Sequence, residues 1–222
     1  MNQAYEIAHL LAGVMLVTSF ALLYQERVAA VLNAFAAQSI TLALAVAWAA
    51  WSDDRPDLFI TALIALTLKG IVIPVALHRT VARLGIHREV EKVVGVGVAL
   101  MVGLALTGLA QALVVKVATG TASHAREELA LALAIVLLGF LMMIVRRNAV
   151  TQVVGFMSME NGLILAATGA RGMPLVVEVS VAFSVLISLF VFAVFVFRIR
   201  ERFDTVDVRA LDRFRGDWRD VS

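Results

Sequence analysis

Two acidic residues interrupt long apolar runs near the C-terminal end of the chain. Glu160 and Glu178 each lie in one of two apolar segments that a short turn joins, between Arg146 and Phe197. A charged side chain at the centre of a membrane-spanning helix costs at least about 2.5–3.5 kcal/mol, so such residues usually pair with a partner and mark ion or proton pathways. These two carboxylates are therefore the first candidates for chemistry.

Lys69 is the expected partner of Glu160, because the two residues lie at similar depths in their apolar segments. Glu160 follows Asn148 by twelve residues, about 18 Å along a helix, and Lys69 precedes His78 by nine residues, about 13 Å. We predict that the two side chains lie on facing helices and interact directly or through water, with a purely structural salt bridge as the alternative. Glu178 follows Pro174, the start of its segment, by four residues and is expected nearer the outer surface. There, a solvated interfacial role is as plausible as a role in an ion pathway.

The composition identifies the environment of the chain. Of 222 residues, 61% are hydrophobic and 16% are charged, with a mean hydropathy of +0.92. Soluble domains are only about 45–50% apolar, so this is an integral membrane protein. The absence of cysteine excludes disulfides, thiolate metal ligands and cysteine-bound iron–sulfur clusters within the chain. No phosphate-binding loop, Ser-His-Asp set or zinc signature is present, so we expect no catalytic residue, no metal site and no cofactor in this chain.

The apolar segments predict an all-α, polytopic transmembrane helix bundle with about seven spans. A helix needs about 20 mainly apolar residues to cross the hydrocarbon layer. The segments that meet this criterion are Glu6–Leu23, Val28–Trp51, Leu58–Leu77, Val93–Val117, Leu129–Val145, Ala149–Ala170 and Pro174–Phe197.

The distribution of basic residues predicts the orientation of these spans. With the N-terminus outside, fourteen Lys and Arg residues fall on the cytoplasmic side and four on the outer side. Cytoplasmic segments of membrane proteins carry this excess of positive charge, so we predict an outer N-terminus and a cytoplasmic C-terminus. The domain organisation that follows is a four-helix membrane region over residues 1–128, a three-helix membrane region over 129–197 and a cytoplasmic tail over 198–222.

Other polar and small residues of the spans have possible supporting roles. Rows of small residues at a spacing of four in the second and fourth helices, from Ala29 and from Gly95, predict close helix packing. The polar side chains that could assist an ion pathway are His9, Gln111, Gln152 and Asn161.

Several sequence blocks carry a resemblance to a known family. The blocks RRNAV, MENGL and GMPLVVEVSVAF, the third-helix run LTLKGIVIP and the tail FDTVDVRALDRFRG resemble hydrogenase-4 component E. That family comprises membrane subunits of group 4 NiFe-hydrogenases and formate hydrogenlyase-type complexes. Within this resemblance, Leu129–Phe197 is similar to the three-helix K-type subunit of respiratory complex I and of Mrp antiporters.

The resemblance implies a non-catalytic subunit of a membrane arm that translocates protons or sodium ions. Glu160 matches the acidic residue of the middle K-type helix, although the K-type pattern places it about one turn closer to the arginine pair. The second proton site is either Glu178 or a position near Ser184, where the K-type pattern has its second glutamate. Two alternatives remain open, namely a purely structural bridging subunit and a component of a cation/proton antiporter.

The resemblance also implies the partners and the location of the chain. The expected partners are antiporter-like and complex I-like membrane subunits, the lipid bilayer, and a peripheral redox arm that carries the NiFe centre and iron–sulfur clusters. No nucleic acid is among them. The expected location is the cytoplasmic (inner) membrane of a bacterium or archaeon.

Overall fold

The regular secondary structure of the described residues is helical. The computed structural model describes residues 2–83, 94–118 and 123–169. The helices are α1 (Asn2–Tyr24), α2 (Val28–Ser52), α3 (Asp57–Ile64), a π-helix (Ala65–Val72), α4 (Ile73–Arg83), α5 (Val96–Val117), α6 (Ser123–Val145) and α7 (Ala149–Gly169). α3, the π-helix and α4 follow one another without a break and form a single span. This all-helical architecture agrees with the fold class that the sequence predicts.

Within these residues, six helical segments are long and apolar enough to cross a membrane. They are Ala4–Tyr24, Val28–Ser52, Asp57–Arg79, Val96–Val117, Ala125–Val145 and Val150–Thr168. Each overlaps one of the first six predicted spans. The seventh predicted span, Pro174–Phe197, lies outside the described residues. The number of spans and the orientation of the termini therefore stay predictions.

The start of α6 differs from the start that the hydropathy pattern predicts. The helix begins at Ser123, whereas the apolar run begins at Leu129. The six residues before Leu129 contain two acidic residues, Glu127 and Glu128, and a search for apolar residues therefore excludes this part of the helix. The boundary that we predict between residues 128 and 129 falls inside α6, and the division into regions stays a prediction.

The middle of the third span is a π-helix, which the sequence pattern does not reveal. The N–H of Ile73 donates to the carbonyl of Leu68, five residues earlier, and not four as in an α-helix. In this wider turn Ala65, Lys69 and Gly70 are all buried. The missing Cβ of Gly70 matters here, because a Cβ added at this position would lie 3.3 Å from Cγ1 of a neighbouring isoleucine on α2. The π-helix thus places Lys69 against the interior of the bundle.

α6 and α7 approach each other so closely that only glycine fits at two of the contact positions. A Cβ added at Gly139 of α6 would lie 2.5 Å from the backbone nitrogen of Met159, and one added at Gly162 of α7 would lie 2.9 Å from the backbone nitrogen of Val136. Small residues of this kind allow helix backbones to pack tightly within membranes. This contact fixes α7, and therefore Glu160, against the rest of the bundle.

A buried apolar cluster joins α1, α2, α3, α6 and α7 on one side of the bundle. Its members are Met15, Leu42, Val46, Ala50, Leu58, Ala62, Ile135 and Ile164. Within this part of the bundle the helices are in van der Waals contact, so polar groups nearby must find partners among protein atoms.

A buried arginine connects the end of α6 to the end of α1. Nη2 of Arg146 lies within hydrogen-bond distance of the backbone carbonyls of Leu22, Leu23 and Gln25, at 2.8, 2.9 and 2.7 Å, so its two hydrogens are shared among three acceptors. The last carbonyls of a helix have no partner within the helix, and the C-terminal end of a helix dipole attracts positive charge. Burial lowers the pKa of the Arg146 guanidinium, and the carboxylate of Glu26 opposes that shift. Arg146 therefore acts as a cap that holds α1 and α6 together.

Candidate functional site

Lys69 and Glu160 form an ion pair inside the bundle. The Lys69 Nζ atom lies 3.1 Å from Oε2 of Glu160, and the two side chains are only 2% and 4% exposed. Lys69 comes from the π-helix and Glu160 from α7, so the predicted proximity of these two residues on facing helices is confirmed. A buried charge that loses its partner costs several kcal/mol, so each residue depends on the other.

Asn161 is the second partner of Lys69. Nζ of Lys69 donates to Oδ1 of Asn161 at 3.1 Å. The amide nitrogen of Asn161, Nδ2, donates to Oε1 of Gln38 and to Oγ of Ser39, each at 3.3 Å. Asn161 is one of the auxiliary candidates predicted from the sequence, and it lies in direct contact with Lys69.

Gln38 extends these hydrogen bonds to α1 and back to α7. Its amide nitrogen, Nε2, donates to Oγ of Ser19 at 2.7 Å and to Oγ of Ser158 at 2.9 Å. The Ser19 hydroxyl in turn donates to the backbone carbonyl of Met15 at 2.9 Å. We refer to the connected side chains as the buried polar network: Ser19, Gln38, Ser39, Lys69, Ser158, Glu160 and Asn161. Every member is less than 9% exposed.

The contribution of α1 and α2 to this network is not among the predictions made from the sequence. The signal for it is the pair Gln38 and Ser39, two consecutive polar residues in the middle of an apolar helix. Polar side chains inside membranes usually face other helices and form hydrogen bonds across them. A rule that considers polar as well as charged residues would have selected Gln38.

The chemistry available to this arrangement is the exchange of a proton or a small cation. Glu160 is the titratable acceptor of the pair, and Lys69 compensates its charge. The amide oxygen of Asn161 accepts a hydrogen bond from Lys69 without adding charge. Among the residues that the structure describes, no group of three or more His, Asp or Glu side chains is placed to hold a metal ion.

Comparison with known proteins gives distant relatives over nearly the whole chain. An uncharacterized protein of Mycobacterium tuberculosis is 29% identical over 208 residues, covering 92% of this chain and 94% of the relative. Hydrogenase-4 component E of Escherichia coli is 29% identical over 214 residues, covering 95% of this chain and 98% of the relative. The chain is similar to hydrogenase-4 component E. The same protein of Shigella flexneri gives the same values.

The similarity to hydrogenase-4 component E extends beyond the blocks that first indicate it. Those blocks lie mainly in the C-terminal half, whereas 95% of the chain takes part in the match. No family model matches the chain, and no solved structure does. The likeness of the C-terminal region to the K-type subunit therefore stays a prediction.

The other candidate residues lie apart from the buried polar network. Nδ1 of His9 is 3.8 Å from Oε2 of Glu127, and both side chains are more than half exposed. Gln111 is exposed on α5. Nε2 of Gln152 donates to the backbone carbonyl of Arg146 at 2.8 Å, at the start of α7. In the described part of the chain, none of these three candidates hydrogen-bonds to the network, and their role in an ion pathway stays a prediction.

Glu178 and the position near Ser184 lie outside the described residues. The alternative between them as a second proton site is therefore unchanged. The described site contains one acidic residue, Glu160, and one basic residue, Lys69.

Proposed function

We propose that this chain is a non-catalytic membrane subunit of a hydrogenase-type respiratory complex and that it contributes to the translocation of protons or sodium ions. The observation that carries this proposal is the buried ion pair between Lys69 and Glu160, 3.1 Å apart. Ionisable groups inside a membrane are costly and are typical of ion pathways. Redox chemistry on partner subunits would drive the translocation.

The similarity to hydrogenase-4 component E supports membership in such a complex. The expected partners are antiporter-like and complex I-like membrane subunits together with a peripheral redox arm. This chain has no cysteine to bind an iron–sulfur cluster or a nickel–iron centre through thiolates. The NiFe and iron–sulfur centres therefore belong to the partners in this proposal, and the complex lies in the cytoplasmic membrane of a bacterium or archaeon.

The mechanism that we propose relies on a change of partner at Glu160. When a neighbouring subunit changes state, Glu160 takes up a proton or a cation and its ion pair with Lys69 weakens. Release of that proton or cation restores the pair. A nearby positive charge favours the ionised form of a carboxyl group, so a change in the distance between the Glu160 carboxyl group and Lys69 changes the affinity of Glu160 for a proton or a cation.

A structural bridging role is the second candidate function, and the hydrogen bonds of the two buried amides favour it. Both N–H groups of the Gln38 amide and both N–H groups of the Asn161 amide have acceptors. Buried amides whose hydrogen bonds are satisfied can have a purely structural role, which is to specify how helices pack. The two candidates differ in whether Glu160 must be titratable.

The experiment replaces Glu160 by glutamine in the intact complex. Glu160→Gln preserves size and hydrogen bonding but removes the titratable proton. We expect an assembled complex, verified on a native gel, whose ion uptake in vesicles and coupled turnover fall strongly. Sodium-free and sodium-containing buffers identify the ion.

Two further carboxylates calibrate the result. Glu127→Gln makes the same chemical change at an exposed carboxylate of α6 and is expected to behave as the wild type. Glu178→Gln is expected to cost less than Glu160→Gln, about 1.4 kcal/mol or tenfold, unless Glu178 is the second proton site. If Glu160→Gln assembles and translocates ions at the wild-type rate, the bridging role is correct and the ion-pathway role is wrong.

A further inference from the structure

The hydrogen bonds of the buried polar network have a fixed direction that begins at α1. A serine hydroxyl has one hydrogen to donate. Ser19 donates this hydrogen to the backbone carbonyl of Met15, so towards Gln38 its oxygen acts as an acceptor. Gln38 must therefore present its amide nitrogen to Ser19. The same nitrogen donates its second hydrogen to Ser158.

This direction is passed to Lys69 through two amides. Because both hydrogens of Gln38 Nε2 are engaged, its Oε1 atom is left to face Asn161. Asn161 then presents Nδ2 to Gln38, and its Oδ1 atom faces Lys69. If the Asn161 amide were reversed, a donor would face the Lys69 ammonium, which itself has only donors.

We propose that Gln38 is a positioning residue that holds the Asn161 amide oxygen towards Lys69, so that Lys69 stays in place when Glu160 loses its negative charge. This inference rests on the proposed function in one respect, namely that Glu160 becomes neutral during ion translocation. Glu160 is the partner whose charge changes in that mechanism, whereas Asn161 is neutral at every pH. Because Asn161 holds Lys69 in position, the ion pair can form again in the same geometry when Glu160 regains its negative charge.

Ser39 cannot replace Gln38 in this role, although it also accepts a hydrogen bond from Asn161. A serine hydroxyl can rotate and either donate or accept, so it does not select one orientation of the amide. The Gln38 amide is anchored on α1 through Ser19 and on α7 through Ser158, and both bonds are shorter than 3 Å. The orientation of Asn161 therefore depends on Gln38.

The test measures the mobility of the Lys69 ammonium group in the full chain. The chain has only three lysines, so solid-state NMR of protein labelled with ¹⁵N-lysine in lipid vesicles gives at most three side-chain signals. The signal that disappears in Lys69→Met is assigned to Lys69. In Glu160→Gln, which imitates the neutral carboxyl group, we expect the Lys69 signal to remain that of an immobilised group. When Gln38→Met is combined with Glu160→Gln, we expect the Lys69 ammonium group to become mobile and its signal to be lost.

The controls separate positioning from general loosening of the bundle. Thr41→Val lies on the same helix as Gln38, and the Thr41 hydroxyl bonds to the Ala37 carbonyl of its own helix, so its addition should leave the Lys69 signal unchanged. The Lys116 signal, from an exposed side chain, and the circular dichroism spectrum should be the same in all variants.

A second variant addresses the same point without changing Gln38. The double change Ser19→Ala and Ser158→Ala removes both acceptors that orient Gln38, and it should also mobilise Lys69 when Glu160 is glutamine. An immobilised Lys69 in folded Glu160→Gln protein that also carries Gln38→Met, or that also carries Ser19→Ala and Ser158→Ala, would overturn the inference. The NMR signal does not depend on ion transport. If Lys69 is rigid in Glu160→Gln and mobile when Gln38→Met is added, but the wild-type complex does not translocate ions, only the proposed function is refuted.

Discussion

Removal of Lys69 is the perturbation whose consequence the structure defines best. Lys69→Met preserves an unbranched side chain but leaves Glu160 without a cation in the interior of the bundle. The carboxyl group can avoid a buried, uncompensated charge by taking up a proton. Breaking a buried ion pair by removing one partner costs about 3–5 kcal/mol, and we expect a loss of stability of this size at pH 7.

The same reasoning gives the pH dependence of the loss. Each unit by which the pH falls lowers the cost of protonating an ionised carboxyl group by about 1.4 kcal/mol, so the change from pH 7 to pH 5 recovers about 2.7 kcal/mol. Lys69→Met should therefore be strongly destabilised at pH 7 and should recover most of the difference from the wild type at pH 5. The sign follows because the variant needs the protonated carboxyl group in the folded state, and low pH supplies that proton.

The assay is reversible unfolding of the full chain in mixed micelles by SDS, followed by circular dichroism at both pH values. Thr67→Val is the matched control, since Thr67 lies in the same π-helix and is exposed, and its hydroxyl donates to the Leu63 and Ile64 carbonyls at the end of α3, in the same span. The double variant Lys69→Met with Glu160→Leu removes both charges and should recover much of the loss at pH 7. If Lys69→Met costs no more than Thr67→Val, or if its cost is the same at both pH values, the ion-pair reasoning is refuted.

Three further predictions concern packing, capping and topology. Gly139→Ala, which brings a Cβ within 2.5 Å of the α7 backbone, should destabilise the bundle by about 1–3 kcal/mol in the same unfolding assay, whereas Gly108→Ala, with open space around it, should not. Arg146→Met removes a charged donor from three carbonyls and should cost at least about 1.5–3 kcal/mol, seen as reduced assembly on a native gel, while Arg147→Met at an exposed position should assemble normally. Because the natural chain has no cysteine, Asp53→Cys should react with an impermeant reagent outside intact cells and a cysteine after Phe197 should not; labelling of the latter would contradict the predicted orientation.

The elements that could be predicted from sequence are those that depend on composition along one helix. Apolar length alone locates the first six spans, and similar depth in the membrane is sufficient to pair Lys69 with Glu160. The π-helix around Lys69 could not be predicted, because it depends on a different hydrogen-bond register and on the proximity of α2 to Gly70. These features arise only when the helices are assembled.

Close packing and the polar network also show the limits of single-helix patterns. Rows at a spacing of four predict close packing for the second and fourth helices, but in the second helix Ala29 is exposed. Contacts that place an added Cβ closest to neighbouring backbone atoms involve Gly139 and Gly162 of α6 and α7. A spacing pattern shows which residues share a face and does not show which helix faces it. The same limit explains why Gln38, on a helix without any charge in its interior, was not predicted to be part of the site.

The central claim is that Glu160 changes its protonation or its partner while the complex turns over. Redox-induced infrared difference spectroscopy of the intact complex tests this claim directly, because carboxyl groups that gain or lose a proton, or change a hydrogen bond, give resolved difference bands. We predict a carboxyl band that is present in the wild type and in Glu127→Gln and absent in an assembled Glu160→Gln complex. A Glu160→Gln spectrum identical to that of the wild type would contradict the claim.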